Sequence, residues 1–145
     1  MKISTKGRYA LRMLLDLAEH QHEGYVALKD IAARQEISKK YLEQIVPILH
    51  KSRMLQANRG FQGGYRLMDA PSKYRVGDIL RLTEGSITPI ACLDCEPEGC
   101  HRRIDCPTLP MWQGLSKVIA DYLDGITLQD LLDRQRERGA DNYCI

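Results

Sequence analysis

The sequence predicts a mostly α-helical fold that carries one small β-hairpin. Three observations lead there. The first fifty residues hold apolar side chains at helical spacing in three successive segments. Two short strand-like pieces then flank a glycine-rich turn. A longer helical segment with heptad-type spacing follows toward the C-terminal end.

The elements follow in order. Ala10, Met13, Leu14, Leu17 and Ala18 recur at i, i+3, i+4, i+7 and i+8, which predicts an amphipathic first helix. The run 20–26, HQHEGYV, breaks it. Residues 27–36 read as a short second helix with Ile31 and Ala32 inward. Ile37 and Ser38 form a turn, and Ser38 is a natural N-cap for the next helix. In that third helix, near 39–52, Leu42, Ile45, Val46 and Leu49 make the apolar stripe. Pro47 should kink or interrupt it, because proline removes a donor and crowds the preceding turn. Strands are expected near 54–58 and 64–68, joined by a turn on Gly60, Gly63 and Gly64. Residues 74–85 read as a fourth helix ending near Gly85.

A loop with four cysteines comes next, and then a longer helix over 109–126 with Pro110 acceptable in its first turn. Trp112, Leu115, Ile119, Tyr122 and Ile126 are spaced 3, 4, 3 and 4, a seam suited to packing against another helix. The bland reading is an intramolecular core and the sharper one a dimer interface, which the spacing favours modestly. Thr127 and Asp130 resemble a capping box for a last helix lined by Leu128, Leu131 and Leu132. The tail from 136 is polar. Three helices followed by a hairpin is the order of a winged helix-turn-helix. Residues 1–75 are therefore expected to form that unit. Residues 76–145 carry the cysteine loop (91–106), the long helix, and a C-terminal helix and tail.

Composition narrows the class. With 145 residues, 43% hydrophobic and 28% charged, the chain reads as one ordinary soluble unit with a real core. No apolar stretch is long enough to span a bilayer, and the N-terminus lacks a secretory pattern. The expected compartment is cytoplasmic, where thiols stay reduced. Five cysteines, an odd number, fit a complete disulfide framework poorly. The net charge of +2 hides an asymmetry: residues 1–70 carry 12 Lys and Arg against 7 Asp and Glu, and residues 71–145 carry 9 against 12. A basic first half suits a polyanion partner.

The third helix concentrates polar groups in its first two turns: Ser38, Lys39, Lys40, Tyr41 and Gln44. In a helix-turn-helix such residues reach the major groove. Lysines neutralise phosphate, while Ser38 and Gln44 suit base edges. A solvated face is the plain alternative, and the hairpin tips the balance. Arg59 stands at its tip, where it can enter the negative minor groove, and glycines such as Gly60 allow close approach.

The stretches KISTKGRYALRMLLDLA, ISKKYLEQIVPIL and RGFQGGYRL, followed by a short helix and a cysteine loop, resemble the Rrf-type transcriptional regulators over nearly the whole chain. That family includes an iron–sulfur cluster regulator, a nitric-oxide-sensing repressor and a cysteine-metabolism repressor. The resemblance implies a homodimer with a winged helix-turn-helix in each subunit and a long dimerisation helix; repressor is the role expected of it, and the sequence leaves repression or activation open. It implies a palindromic double-stranded operator, with Tyr41, Glu43, Gln44 and Arg59 at the DNA. A carboxylate at Glu43 would disfavour many sequences and so sharpen selectivity.

Cys92, Cys95, Cys100 and Cys106 fall within sixteen residues. Thiolates suit zinc or iron–sulfur clusters. The gaps of two, four and five residues match neither a usual four-cysteine zinc site nor a standard ferredoxin run. Local chemistry leaves cluster, zinc and thiol switch open. The resemblance narrows this, since cluster-binding members place three cysteines here with five-residue gaps. Cys100 and Cys106 keep one such gap, and Cys92 or Cys95 supplies the third ligand. One branch has a histidine three residues after the last cysteine; Leu109 stands there. Cys95, His101 or a partner side chain would then be the fourth ligand, and the cluster type, 2Fe–2S or 4Fe–4S, stays open. Cys144 reads as incidental.

Two rivals remain. A cluster-free regulator of cysteine or sulfur metabolism would sense through thiol oxidation or a partner. The cysteine-metabolism branch implies docking of cysteine synthase on a C-terminal isoleucine, which Ile145 would permit. A small zinc or dithiol redox enzyme is remote, because no Ser-His-Asp or paired-carboxylate arrangement stands out. The expectation is a regulator and not an enzyme.

Overall fold

A computed structural model of the chain describes residues 2–94 and 100–141. The described elements are α1 (Thr5–His20), α2 (Leu28–Gln35), α3 (Lys39–Lys51), β1 (Leu55–Asn58), β2 (Gly64–Leu67), α4 (Val76–Glu84), α5 (Leu109–Asp124) and α6 (Leu128–Asp141). The fold is mostly α with a two-stranded antiparallel hairpin, as expected.

Ser4 caps α1, its hydroxyl accepting from the Gly7 amide at 3.3 Å. All five residues assigned to the inner face of α1 are buried. So is Asp16, a carboxylate in an apolar setting, which needs partners. They come from α2. Arg34 donates to both carboxylate oxygens at 3.0 and 2.7 Å, and Gln35 donates at 3.0 Å. This clamp ties α1 to the C-terminal end of α2. Arg34→Ala would leave the buried charge with fewer donors, and we expect a loss of about 2 kcal/mol in urea unfolding.

Between α2 and α3 the chain turns at Glu36 in the left-handed region (φ 53°), with Ile37 buried behind it. Ser38 then caps α3, accepting from the Tyr41 amide at 3.2 Å. Leu42, Ile45, Val46 and Leu49 are buried as expected. The chain passes Pro47 in one continuous helix, so the expected interruption is absent. Burial of four side chains around the proline outweighs one lost helical hydrogen bond, and Pro47 itself faces solvent.

The hairpin pairs Leu55 with Leu67 and Asn58 with Gly64. Val26 adds a bridge to Tyr65, with amide–carbonyl bonds of 2.8 and 2.9 Å in the two directions. This anchors the hairpin to the turn before α2, where the sequence showed only a break. The main core gathers Met13, Leu17, Leu42, Ile45, Leu49 and Leu55. Leu128 and Leu132 of α6 enter this same core. The capping box is present: the Thr127 amide donates to Asp130 at 2.7 Å, and the Asp130 amide donates back to the Thr127 hydroxyl at 3.2 Å.

A second, smaller apolar cluster joins α4 to α5 around Val76, Leu80 and Ile87. Beside it, Arg81 on α4 makes two 2.8 Å bonds to the carboxylate of Asp124 at the end of α5. Gly77 makes room, since a Cβ there would collide with that carboxylate. Arg81's hydrogen bonds hold the Asp124 carboxyl below its ordinary range. A depressed carboxyl contributes stability that is present above its unfolded value of about 4 and lost as pH falls through its folded value. The Arg81–Asp124 contribution to this joint is therefore present at neutral pH and lost in acid. Gly77→Ala should open it at neutral pH, costing about 1–3 kcal/mol in thermal or urea unfolding.

None of the sixteen residues of α5 is buried. Met111, Leu115, Val118 and Tyr122 form its bare stripe, with relative exposures of 56, 42, 65 and 65%. Trp112 and Ile119 are half-buried. Ile126, placed in the seam by spacing, lies beyond Gly125, where the helix has ended. It packs on the α4 cluster instead, and its carbonyl accepts from the Val76 amide at 2.9 Å.

Candidate nucleic-acid interface and cysteine loop

α3 presents Ser38, Lys39, Lys40, Glu43 and Gln44 to solvent on one side. Lys39 and Glu43 lie 3.5 Å apart, an exposed pair worth little energy. Either partner can therefore be recruited by a ligand at low cost. Tyr41 differs from its neighbours. It is half-buried, its ring edge-on to Tyr9 at 5.3 Å, and the Arg12 guanidinium sits 5.5 Å from the Tyr9 ring centre. Tyr41 thus buttresses α3 against α1, leaving less of its ring free than the sequence suggested.

The hairpin stands beside this face as a wing. Gly60 adopts φ 115°, and its carbonyl accepts from the Gly63 amide at 3.0 Å. Arg59 and Phe61 are exposed on either side of Gly60. Lower down, Arg66 donates to Gln56 at 2.9 Å and lies 5.0 Å from the Tyr25 ring centre. A groove between wing and helices is lined by Lys29, Lys39, Asn58, Gly60 and Gly63. Lys29 is a candidate that sequence reasoning missed. The available signal was a basic residue in the first turn of the helix before α3.

The cysteine loop hangs between α4 and α5. Cys92 lies exposed in a short helical turn, Ala91–Leu93, while Cys100 and Cys106 are half-buried. All three are free thiols. Cys95 lies outside the described residues, as do Cys144 and Ile145. His101 is exposed. The Asp94 carboxylate accepts from Ser86 and, at 2.6 Å, from Thr88, so the loop is tied back to the segment leaving α4. These bonds, Ser86 first, hold the Asp94 carboxyl below its ordinary range. Arg103 donates to the Cys92 carbonyl at 3.3 Å, linking the two ends of the loop. The Thr108 hydroxyl lies 3.4 Å from Cys106 Sγ, and this contact, with the Thr108 amide, lowers the thiol's pKa.

Among the described residues no three His, Cys, Asp or Glu side chains come together as a ready-made metal site. The donor chemistry nonetheless fits a soft metal centre. Three accessible free thiols share one loop, one of them biased toward thiolate, with Arg102 and Arg103 beside them to offset an anionic group.

A family model described as Rrf2, an iron-dependent transcriptional regulator, matches residues 3–134. The HTH-type transcriptional regulator IscR of Aliivibrio salmonicida is 41% identical over 146 residues, covering 100% of this chain and 86% of the relative. IscR of Erwinia tasmaniensis is 40% identical over 135 residues, covering 93% and 81%. Among solved structures, CymR, the global cysteine regulator of B. subtilis, aligns with TM-score 0.76 at 35% identity, covering 92% of this chain and 98% of that one. IscR of T. potens aligns with TM-score 0.73 at 37% identity, covering 95% and 90%.

Proposed function

The chain belongs to the Rrf2 family of transcriptional regulators, and from that premise we propose a homodimer that binds a palindromic operator and senses through an iron–sulfur cluster in its cysteine loop. It is a DNA-binding regulator and not an enzyme. In this reading residues 1–75 read DNA, and residues 76–145 sense and dimerise. The cytoplasm is the proposed compartment. No helix among the described residues is long and apolar enough to cross a membrane.

The observation that carries the cluster reading is that three accessible free thiols share the one loop that joins α4 to α5. Cys100 and Cys106 would hold the cluster together with Cys92, and Cys95 or His101 would complete the set. When bound, the cluster supplies a redox-sensitive cross-link between ligands separate in sequence. Everything else falls to the chain. Asp94 fastens the loop to the exit of α4, and the Arg81–Asp124 bonds fasten α4 to α5. A change of loop order therefore bears directly on the helix that would set the spacing of the two wings. Coupling of about 1–3 kcal/mol is enough for a useful switch.

On DNA, Lys39 and Lys40 would neutralise phosphate, Ser38 and Gln44 would meet base edges, and Glu43 would reject mismatched sequences. Arg59, with Gly60 allowing close approach, would enter the minor groove. Tyr41 would position α3 and present only its exposed edge.

A second reading has one specific support: the cysteine regulator of B. subtilis aligns as well as IscR does. Under it the same free thiols would sense oxidation without a cluster, or zinc would occupy the loop. Cysteine synthase docking on Ile145 is not supported, and Ile145 lies outside the described residues. Iron, zinc and sulfide analysis with an anaerobic absorption spectrum separates these readings. The cluster reading expects a coloured protein with iron and acid-labile sulfide in comparable amounts; colourless protein lacking both would overturn it.

A further inference from the structure

Phe61 is the only phenylalanine in the chain, and it is fully exposed, at 107% of its reference area. A single exposed apolar side chain means little by itself. Its setting decides. The bond from the Gly63 amide to the Gly60 carbonyl closes a four-residue turn at the wing tip, with Phe61 and Gln62 as its central pair. Gly63 is obligatory there, since a Cβ would sit 2.6 Å from the Asn58 carbonyl and 2.8 Å from that of Gly60. The wing base is held by the Val26–Tyr65 bridge and by Arg66 over Tyr25. The tip is thus a pre-formed projection that carries an aromatic ring outward, two residues from Arg59. Among the described residues nothing packs over that ring.

We infer that Phe61 is an apolar wedge that enters the minor groove beside Arg59, packing against sugars or prying a base step open. The inference rests on the DNA-binding reading of the wing and deepens it. Minor-groove proteins insert Phe, Leu or Met at such places, and pyrimidine–purine steps yield most easily. Arg59 supplies attraction to the negative groove, and Phe61 adds a preference for deformable sequence at positions that no hydrogen bond reads. Division of labour follows: one residue acts through charge and the other does not.

The test uses the full chain and a duplex that the wild-type protein selects from a random pool, with 2-aminopurine placed in turn at the flanking steps. Phe61→Ala should bind about tenfold or more weakly, the scale of a lost aromatic–base contact. Its salt dependence should stay unchanged, and the 2-aminopurine enhancement and the pyrimidine–purine preference should disappear. Phe61→Leu should recover much of the binding. Arg59→Ala should instead flatten the salt dependence, by a slope of roughly one per subunit. Wild-type affinity and unaltered fluorescence for Phe61→Ala would overturn the wedge while leaving Arg59's role standing. If the wild-type chain selects no duplex, the wedge and the DNA reading fall together.

Discussion

Cys100→Ala and Cys106→Ala combined should abolish the iron and acid-labile sulfide of protein isolated without oxygen, while leaving the fold intact. Both thiols sit in a loop outside the two apolar clusters, half-exposed and without disulfide partners. Removing them therefore creates no core cavity, and unfolding midpoints should shift by less than about 0.5 kcal/mol. A cluster needs its thiolates, and the remaining donors do not replace two of them. Cys92→Ala should give partial loss, because Cys95 stands three residues away as a substitute. Full iron and sulfide in the double variant would remove these residues from the site.

Val118→Glu should turn the dimer into a monomer and weaken operator binding by more than about a hundredfold. The side chain is 65% exposed on a helix with no buried residue, so the substitution costs the isolated subunit almost nothing. Across a paired α5 face it would bury two like charges beside Leu115 and Tyr122. A dimer gains its affinity by converting the second half-site contact into an intramolecular event, worth about 10²–10⁴. A monomer should also show roughly half the salt slope of the dimer, since it meets half the phosphates. Light scattering and titrations at several salt concentrations read both effects. Dimeric Val118→Glu with unchanged affinity would move the interface elsewhere.

The elements set by local pattern are legible in the sequence. α1 and α3 follow from apolar spacing, α3 also from its Ser38 cap, and the wing follows from its glycines. What escaped depends on contacts distant in sequence. The single bridge from Val26 to Tyr65 has no periodicity to betray it. Nor has the buried Asp16, whose partners lie 18 and 19 residues away. Ile126 continues a heptad count on paper, yet Gly125 ends the helix one residue earlier. On α5 the Trp112–Ile119 edge is half-buried and the Met111–Val118 edge is bare, a split that spacing alone does not decide. Lys29 is a lone basic residue in the first turn of α2, and only the wing's position across the groove marks it out. For the cysteines, residue type was informative and placement was not, since four thiols in a loop have no fixed geometry until something binds them.

The state of the cysteine loop should control DNA binding. This is tested by titrating one selected operator, under nitrogen, with matched cluster-loaded and cluster-free samples of the same preparation. The two affinities should differ by about 5- to 150-fold, and the difference should reverse when the cluster is rebuilt. Identical affinities in the two states would contradict it.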